Sequence, residues 1–127
     1  AGTAQPALAE FLREGHLLRY LRRMRPLYAA RKQAVLYALQ TLLPDDLDVV
    51  PSEAGLHLTG LFTPRLAARL TDVEASARTR AARNFIQPLS QCFIGEPDRQ
   101  GLVIGFGRLP VEEALPRLTT VASLLHA

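Results

Sequence analysis

Basic side chains are the most frequent reactive groups in the first part of this sequence. Residues 15–25 read GHLLRYLRRMR, which contains four arginines and no acid. Arg19, Arg22 and Arg23 have the i, i+3, i+4 spacing that places side chains on one side of a helix. Such a cluster could contact nucleic-acid phosphates. We favour a solvated helix face instead, because no helix-turn-helix spacing, zinc pattern or interleaved aromatic residues accompany the arginines.

The other reactive residue types do not form a catalytic set. Cys92 and His57 could act as nucleophile and base, but one cysteine and three histidines provide no spacing that supports the pair. We interpret Cys92 as a small buried apolar residue. Lys32 is the sole lysine, and its helical neighbours offer nothing to activate it for Schiff-base chemistry. We therefore predict no catalytic residue in this chain, and no ligand spacing indicates a metal site.

Composition and charge exclude several classes of protein. The 127 residues are 48% hydrophobic and 21% charged, which is typical of a globular domain. The net charge is only +3, although residues 1–43 contain seven Arg or Lys and two Glu. One cysteine excludes an internal disulfide and fits a reducing compartment. There is no signal-peptide pattern and no apolar run of about 18 residues, so we expect a cytoplasmic protein without a membrane span.

The arginine-rich segment is predicted to lie on a long helix. Its apolar residues recur at spacings of three, four or seven, which places them on one narrow stripe. We expect this helix from about His16 to about Leu43, bent at Pro26, after a short helix that begins at Pro6 and ends or bends at Gly15. The stripe indicates packing against a sheet. Its members are Leu17, Leu21, Met24, Tyr28, Val35, Leu39 and Leu42.

Short strands and helices are predicted for the rest of the chain. The strand candidates are residues 47–50, 56–62, 85–89 and 101–107, and an amphipathic helix covers 111–125. Thr63 and Asp72 are predicted to cap further helices, and Asn84 to terminate one in the left-handed conformation. This order predicts an α+β fold with a three- to four-stranded, mainly antiparallel sheet, covered by helices that include the long, bent N-terminal one.

Several short motifs follow one another along the chain in a characteristic order. They are Gly15-His16, Tyr20–Arg25, Tyr28 to Arg31, Ala54–Leu58, Pro88-Leu89-Ser90, Gly101–Phe106 and Pro110–Ala114. With these motifs the chain resembles the C-terminal small domain of MocR-type regulators of the GntR superfamily, whose effector domain is similar to fold-type I, pyridoxal-phosphate-dependent aminotransferases. The match covers nearly the whole chain with the family's spacing.

The resemblance implies a longer parent protein in which residues 1–127 form one domain. Such a parent has an N-terminal winged helix-turn-helix that binds DNA, and a large domain that holds pyridoxal phosphate. It forms homodimers and senses a small-molecule effector. This chain would close the cofactor and effector cleft and relay its occupancy, and we expect no cofactor bound by the chain alone. The alternatives are the small domain of a genuine class I/II aminotransferase, and a free-standing nucleic-acid-binding module that binds DNA at low salt.

The resemblance also implies which residues face the cleft. Gly55, His57 and Ser90 match motif positions there. Val103 occupies the position at which many aminotransferases of this fold hold the substrate carboxylate with an arginine. Because valine cannot pair with a carboxylate, this departure favours a regulator over an enzyme. In two further departures, Gln91-Cys92 precede the expected aromatic residue, and Arg83–Ile86 replace the usual Gly-Val, with Asn84 expected to supply the left-handed residue.

Overall fold

Helices and strands account for most of the residues that the structure describes. The computed structural model describes residues 4–50, 55–92 and 99–127, with side chains from Ala7 onward. Predictions at residues 51–54 and 93–98 lie outside these ranges. The elements are α1 (Ala4–Leu42), β1 (Leu47–Val50), β2 (His57–Phe62), α2 (Pro64–Ala67), α3 (Asp72–Arg78), β3 (Ile86–Pro88), β4 (Gly101–Gly105) and α4 (Val111–Leu125). Two short 3₁₀ turns, Arg80–Ala82 and Leu89–Gln91, flank β3.

The strands form one antiparallel sheet in the order β1-β2-β4-β3. β4 is therefore central, and Val103 in it lies between Thr59 of β2 and Gln87 of β3. The predicted α+β class, the antiparallel sheet and the long N-terminal helix are confirmed. Each predicted strand is present, although β3 and β4 are shorter than their apolar runs.

Side chains alternate between the two faces of this sheet. Leu58, Ile86, Leu102 and Ile104 are almost fully buried and pack with apolar residues of the helices. The opposite face carries polar and half-buried side chains, and no helix of the described residues buries its apolar residues there. We call this second surface the open face. Its residues are Asp48, Val50, His57, Thr59, Leu61, Gln87, Val103 and Gly105.

α1 is longer than predicted, and only part of its apolar stripe is covered. The helix continues through Gly15, so it does not end there as one of the two predictions had it. A glycine inside a helix costs only about 1 kcal/mol relative to alanine, and strong helix formers surround it. Val35 and Leu39 are buried in the core, whereas Leu17 and Leu21 are 56% and 44% exposed. Packing of the whole stripe against the sheet is therefore wrong, and α1 contacts α4 more extensively than any strand.

Two predictions about helix ends, at Asp72 and at Asn84, are also wrong. α3 is capped by Thr71, not by Asp72: the Thr71 hydroxyl accepts a hydrogen bond from the Glu74 amide at 3.1 Å, and the Glu74 carboxylate accepts one from the Thr71 amide. This capping box leaves the Asp72 side chain available for other contacts. Among the described residues no non-glycine has positive φ, so Asn84 is not left-handed.

Thr63 precedes α2 as predicted, but its side chain does not cap that helix. Its hydroxyl donates instead to the Asp45 carbonyl at 2.7 Å, which fixes the start of α2 against the turn before β1. Long-range contacts also join the ends of other elements. The Arg31 guanidinium on α1 donates to the Gly107 carbonyl beyond β4. His126 after α4 lies 2.6 Å from the buried carboxylate of Asp46.

Candidate functional site

His57 and Val103, two of the residues that the resemblance implies in the cleft, both lie on the open face. Together with Asn84, Phe85 and Gln87 they line a small cavity of about 90 Å³ at the Gly105 end of β4. His57 is exposed and Val103 is half buried. The cavity therefore combines an imidazole, two side-chain amides and apolar side chains.

Sheet register places these residues together. His57 lies opposite Gly105, and a Cβ on Gly105 would lie 3.5 Å from the imidazole Cδ2, so the ring rests against the glycine backbone. The Gly105 amide donates to the Phe85 carbonyl at 2.7 Å, and the Phe106 amide donates to the Leu56 carbonyl at 2.9 Å. These bonds hold the ends of β2 and β4 and the approach to β3 as one rigid edge, which fixes the position of His57.

Gly55 borders a different cavity. Its φ of +95° is in the region that favours glycine, and it directs the chain into β2. Gly55 lines a groove of about 490 Å³ between α1 and the start of β2, with Arg25, Tyr28 and Lys32 on the helix side. Hydrogen bonding to Tyr20 raises the pKa of Tyr28, and the charge of nearby Arg31 opposes part of that rise. The groove is separate from the cavity at His57.

Ser90 lies at the other end of the sheet, held by Asp72, which the sequence predicts as a helix cap instead. The fully buried Asp72 carboxylate accepts hydrogen bonds from the Ser90 hydroxyl at 2.5 Å, the Ser90 amide at 2.8 Å and the Gly101 amide at 3.2 Å. The Asp72 amide in turn donates to Gln100 at 2.7 Å. Gly101 and Gly105 are the two ends of β4, about 13 Å apart at 3.3 Å per residue. Ser90 is therefore not beside His57.

A signal for the role of Asp72 was present in the sequence. Thr71 and Glu74 have the spacing of a capping box, and that box satisfies the helix start without Asp72. An acid in the next position then needs another partner if it is buried. Which partner it finds is decided by β4 and the turn after β3, and the sequence alone does not bring these together.

Cys92 differs from its prediction. It is exposed, not buried, and its thiol lies 3.4 Å from the Pro88 carbonyl. No hydrogen bond joins it to His57 within the described ranges. Across these same ranges no group of three His, Cys, Asp or Glu side chains is arranged as metal ligands.

The arginines of residues 15–25 make contacts within their own helix. The Arg23 guanidinium lies 5.7 Å from the ring centroid of Tyr20, and Arg19 Nε donates to the Gly15 carbonyl at 3.5 Å. Arg19, Arg22 and Arg23 are all exposed. These contacts fit the favoured interpretation of a solvated face. No helix in the described part of the chain is long and apolar enough to span a membrane.

Curated proteins that are similar to this chain in sequence include two regulators. The probable rhizopine catabolism regulatory protein MocR of Rhizobium meliloti is 37% identical over 106 residues, which cover 80% of this chain and 20% of that protein. The uncharacterized HTH-type transcriptional regulator YhdI of Bacillus subtilis (strain 168) is 26% identical over 110 residues, 87% of this chain and 23% of that protein. The chain thus spans about a fifth of the length of these relatives. No protein-family model matches it.

The fold is shared with solved structures of aminotransferases, two of which illustrate the similarity. An archaeal alanine:glyoxylate aminotransferase superposes with a TM-score of 0.71 at 17% identity, over 92% of this chain and 28% of that one. LysN, the α-aminoadipate aminotransferase of Thermus thermophilus, superposes with a TM-score of 0.72 at 20% identity, over 92% and 29%. The aminotransferase-like fold and the resemblance to MocR-type regulators are confirmed. Because both curated relatives are named as regulatory proteins, they favour a regulator over a genuine aminotransferase.

Proposed function

We propose that this chain, which matches the aminotransferase-like C-terminal small domain of MocR-type regulators, forms one side of a cofactor and effector cleft. The other side is a large domain of the same, longer protein. Movement of the small domain against the large one closes the cleft and relays effector occupancy to a winged helix-turn-helix that binds DNA. The parent protein is a homodimer in the cytoplasm.

The observation that carries this proposal is the open face of the sheet. The helices of the described residues bury one face, and the other keeps half-buried Thr59, Leu61 and Val103 beside exposed His57 and Gln87. A half-apolar sheet surface with a polar rim is typical of a face that meets another domain or a ligand. His57 and Val103, both of which the resemblance implies in the cleft, border one cavity there.

Val103 supports a sensing role over an enzymatic one. It occupies the strand position at which the resemblance implies a carboxylate-binding arginine in many aminotransferases. Its aliphatic side chain adds only apolar contact in the centre of the open face. Without a fixed charge there, the chain lacks the usual means of orienting an amino-acid substrate for transamination.

We expect this chain by itself to bind no pyridoxal phosphate. Lys32, the sole lysine, lines the groove on the α1 side with Gly55, and not the cavity at His57 and Val103. The cofactor would therefore be held by the large domain, with its lysine there. When bound, pyridoxal phosphate supplies a reactive aldehyde and an electron sink for amine substrates. This chain would contribute the opposite surface, which excludes water when the cleft closes.

The N-terminal half of α1 fits contact with that large domain. Phe11, Leu12, Leu17 and Leu18 are all more than half exposed on a helix that extends beyond its own core. A surface of this kind on an isolated domain is commonly covered in the complete protein. The relatives, about five times as long as the matched segment, have enough chain to cover it.

One substitution made on two surfaces tests the proposal. In the full-length protein, Thr59→Glu places a charge in the centre of the open face, and Thr119→Glu places the same charge on the exposed side of α4. A reporter driven by the protein's own upstream DNA is measured with the twenty standard amino acids, added singly as probes. We expect Thr59→Glu to lower the largest reporter response at least about tenfold, since an unpaired charge at a closed interface costs several kcal/mol.

Thr119→Glu should respond as the unsubstituted protein does. The uncharged Thr59→Gln and thermal melts of each variant separate loss of closure from loss of folding. An unchanged response of folded Thr59→Glu would contradict a role for the open face. Efficient transamination, in a protein whose upstream sequence lacks a DNA-binding domain, would favour the aminotransferase alternative.

A further inference from the structure

We propose that a pocket at the Gly105 end of the open face binds a small oxyanion, either a carboxylate or a phosphate. The pocket has a volume of about 270 Å³ and shares four residues with the smaller cavity beside Val103. We call it the basic pocket, because the titratable side chains that line it are all basic. It is lined by Leu56, His57, Asn84, Phe85, Gly105, Gly107, Arg108, Leu109 and Arg117.

Its three basic groups come from three separate parts of the fold. His57 opens β2, Arg108 follows the end of β4, and Arg117 lies in the second turn of α4. Guanidinium groups remain charged at any physiological pH, and their planar donors match the oxygens of carboxylates and phosphates. Only the tertiary structure brings the three groups to one concave surface. His57 is far from the two arginines along the chain, and Arg108 lies before the helix that contains Arg117.

The charge of the pocket is only partly neutralised. Arg117 Nη2 lies 3.2 Å from the Glu113 carboxylate one helical turn away, and its guanidinium lies 6.0 Å from the centroid of the Phe85 ring. These two contacts orient the guanidinium and use few of its five donors. Within the described residues, neither the Arg108 side chain nor the His57 side chain makes a hydrogen bond or an ion pair with an acid. Two arginines against one acid leave the pocket with a net positive charge.

The remaining lining limits what the anion can carry. Leu56, Phe85 and Leu109 provide apolar surface, and the Asn84 amide can donate or accept a hydrogen bond. At about 270 Å³ the space is slightly below the range of ordinary small-molecule pockets, so it suits a short molecule with one anionic end. Gly105 is two residues from Val103, roughly 7 Å along the strand. If the proposed function is correct, the effector's anionic group binds here and not at Val103.

Direct binding to the 127-residue chain tests this inference without the large domain or DNA. Acetate, butyrate and inorganic phosphate are titrated separately at constant ionic strength, and the amide resonances are followed by two-dimensional NMR. We expect saturable shifts at His57, Gly105 and Arg108. Stronger binding of butyrate than of phosphate assigns the pocket to short carboxylates, and the reverse order assigns it to phosphate groups.

Charge-removing variants separate the pocket from general electrostatics. Loss of a charge-assisted hydrogen bond should weaken binding roughly tenfold or more for Arg108→Gln and for Arg117→Gln. Arg13→Gln removes the same charge from the exposed half of α1 and should leave the affinity unchanged. Arg117 also contacts the Phe85 ring, so its loss can lower the stability of the fold. If Arg117→Gln is unstable, Arg117→Lys, which keeps the charge, is measured instead. Arg108 is exposed, so Arg108→Gln by itself also tests the charge of the pocket.

Two results would overturn the inference. One is non-saturable shifts spread along the α1 arginines, and the other is an equal loss of affinity in Arg13→Gln and Arg108→Gln. Neither result bears on cleft closure, which the reporter measures independently through Thr59. Conversely, the anion titration could show saturable binding while the reporter response of Thr59→Glu stays unchanged. That result would support the oxyanion site and contradict the proposed regulatory function.

Discussion

The two halves of α1 carry the same apolar stripe but have different surroundings. Val35 and Leu39 in the C-terminal half are 0% and 2% exposed, whereas Leu17 and Leu21 on the same stripe are 56% and 44% exposed. The C-terminal half packs with α4 and the sheet, and the N-terminal half extends beyond both. Periodicity therefore identifies which side of a helix is apolar, but the end of the core decides how much of that side is buried.

Hydrogen exchange should show the largest difference between the halves. Amides near Val35 and Leu39 exchange only when the core opens, so their protection approaches the global stability, typically about 5–15 kcal/mol. Amides of residues 16–21 can exchange by local fraying. We expect protection to differ at least about a thousandfold in exchange monitored by NMR. Similar protection in both halves, persisting on dilution, would mean that something covers the N-terminal half within the monomer.

Alanine substitution sharpens the same comparison in free energy. Leu39→Ala removes a buried side chain and should lower the free energy of unfolding by about 2–5 kcal/mol. Leu17→Ala makes the same chemical change on the exposed half and should alter it by no more than about 0.5 kcal/mol. Urea denaturation of both variants measures the difference. Comparable decreases in the free energy of unfolding would show that the exposed half of α1 stabilises the fold as much as the buried half does.

The smallest expected effect lies at the point where α1 leaves the core. Tyr28 packs against the core and Tyr20 is exposed, and hydrogen bonding between them raises the pKa of Tyr28. Tyr20→Phe removes that bond, so the pKa of Tyr28 should fall toward the ordinary tyrosine value, as ultraviolet titration would measure. Tyr37→Phe removes another exposed phenol of α1 and should leave Tyr28 unchanged. An unaltered Tyr28 titration in Tyr20→Phe would contradict the contact.

Local patterns predicted local structure well. The apolar alternation of residues 56–62 became β2, and the amphipathic stretch 111–125 became α4 with the predicted bounds. Predictions that depended on one residue's preference were weaker. Gly15 did not end a helix that its neighbours favour, and Asp72 did not cap a helix that Thr71 already caps. In each case several adjacent residues outweighed one.

The candidate site was predicted only in part. The family resemblance implied Gly55, His57, Ser90 and Val103 as residues of one cleft, and the structure places His57 and Val103 at one cavity. Gly55 borders the α1 groove, and Ser90 is bound to Asp72 at the far end of β4. Motif order supplies a list of residues, but the distances among them depend on strand register.

The sequence by itself determined the α+β class, the positions of the strands, the long helix and the resemblance to MocR-type regulators, because these depend on short-range periodicity and ordered motifs. Only the tertiary structure decided which half of α1 is covered, that the buried Asp72 carboxylate holds Ser90 and Gly101, and that Arg108 and Arg117 lie beside His57. Those contacts join residues distant along the chain, and they form only when strand pairing and helix packing bring the elements together.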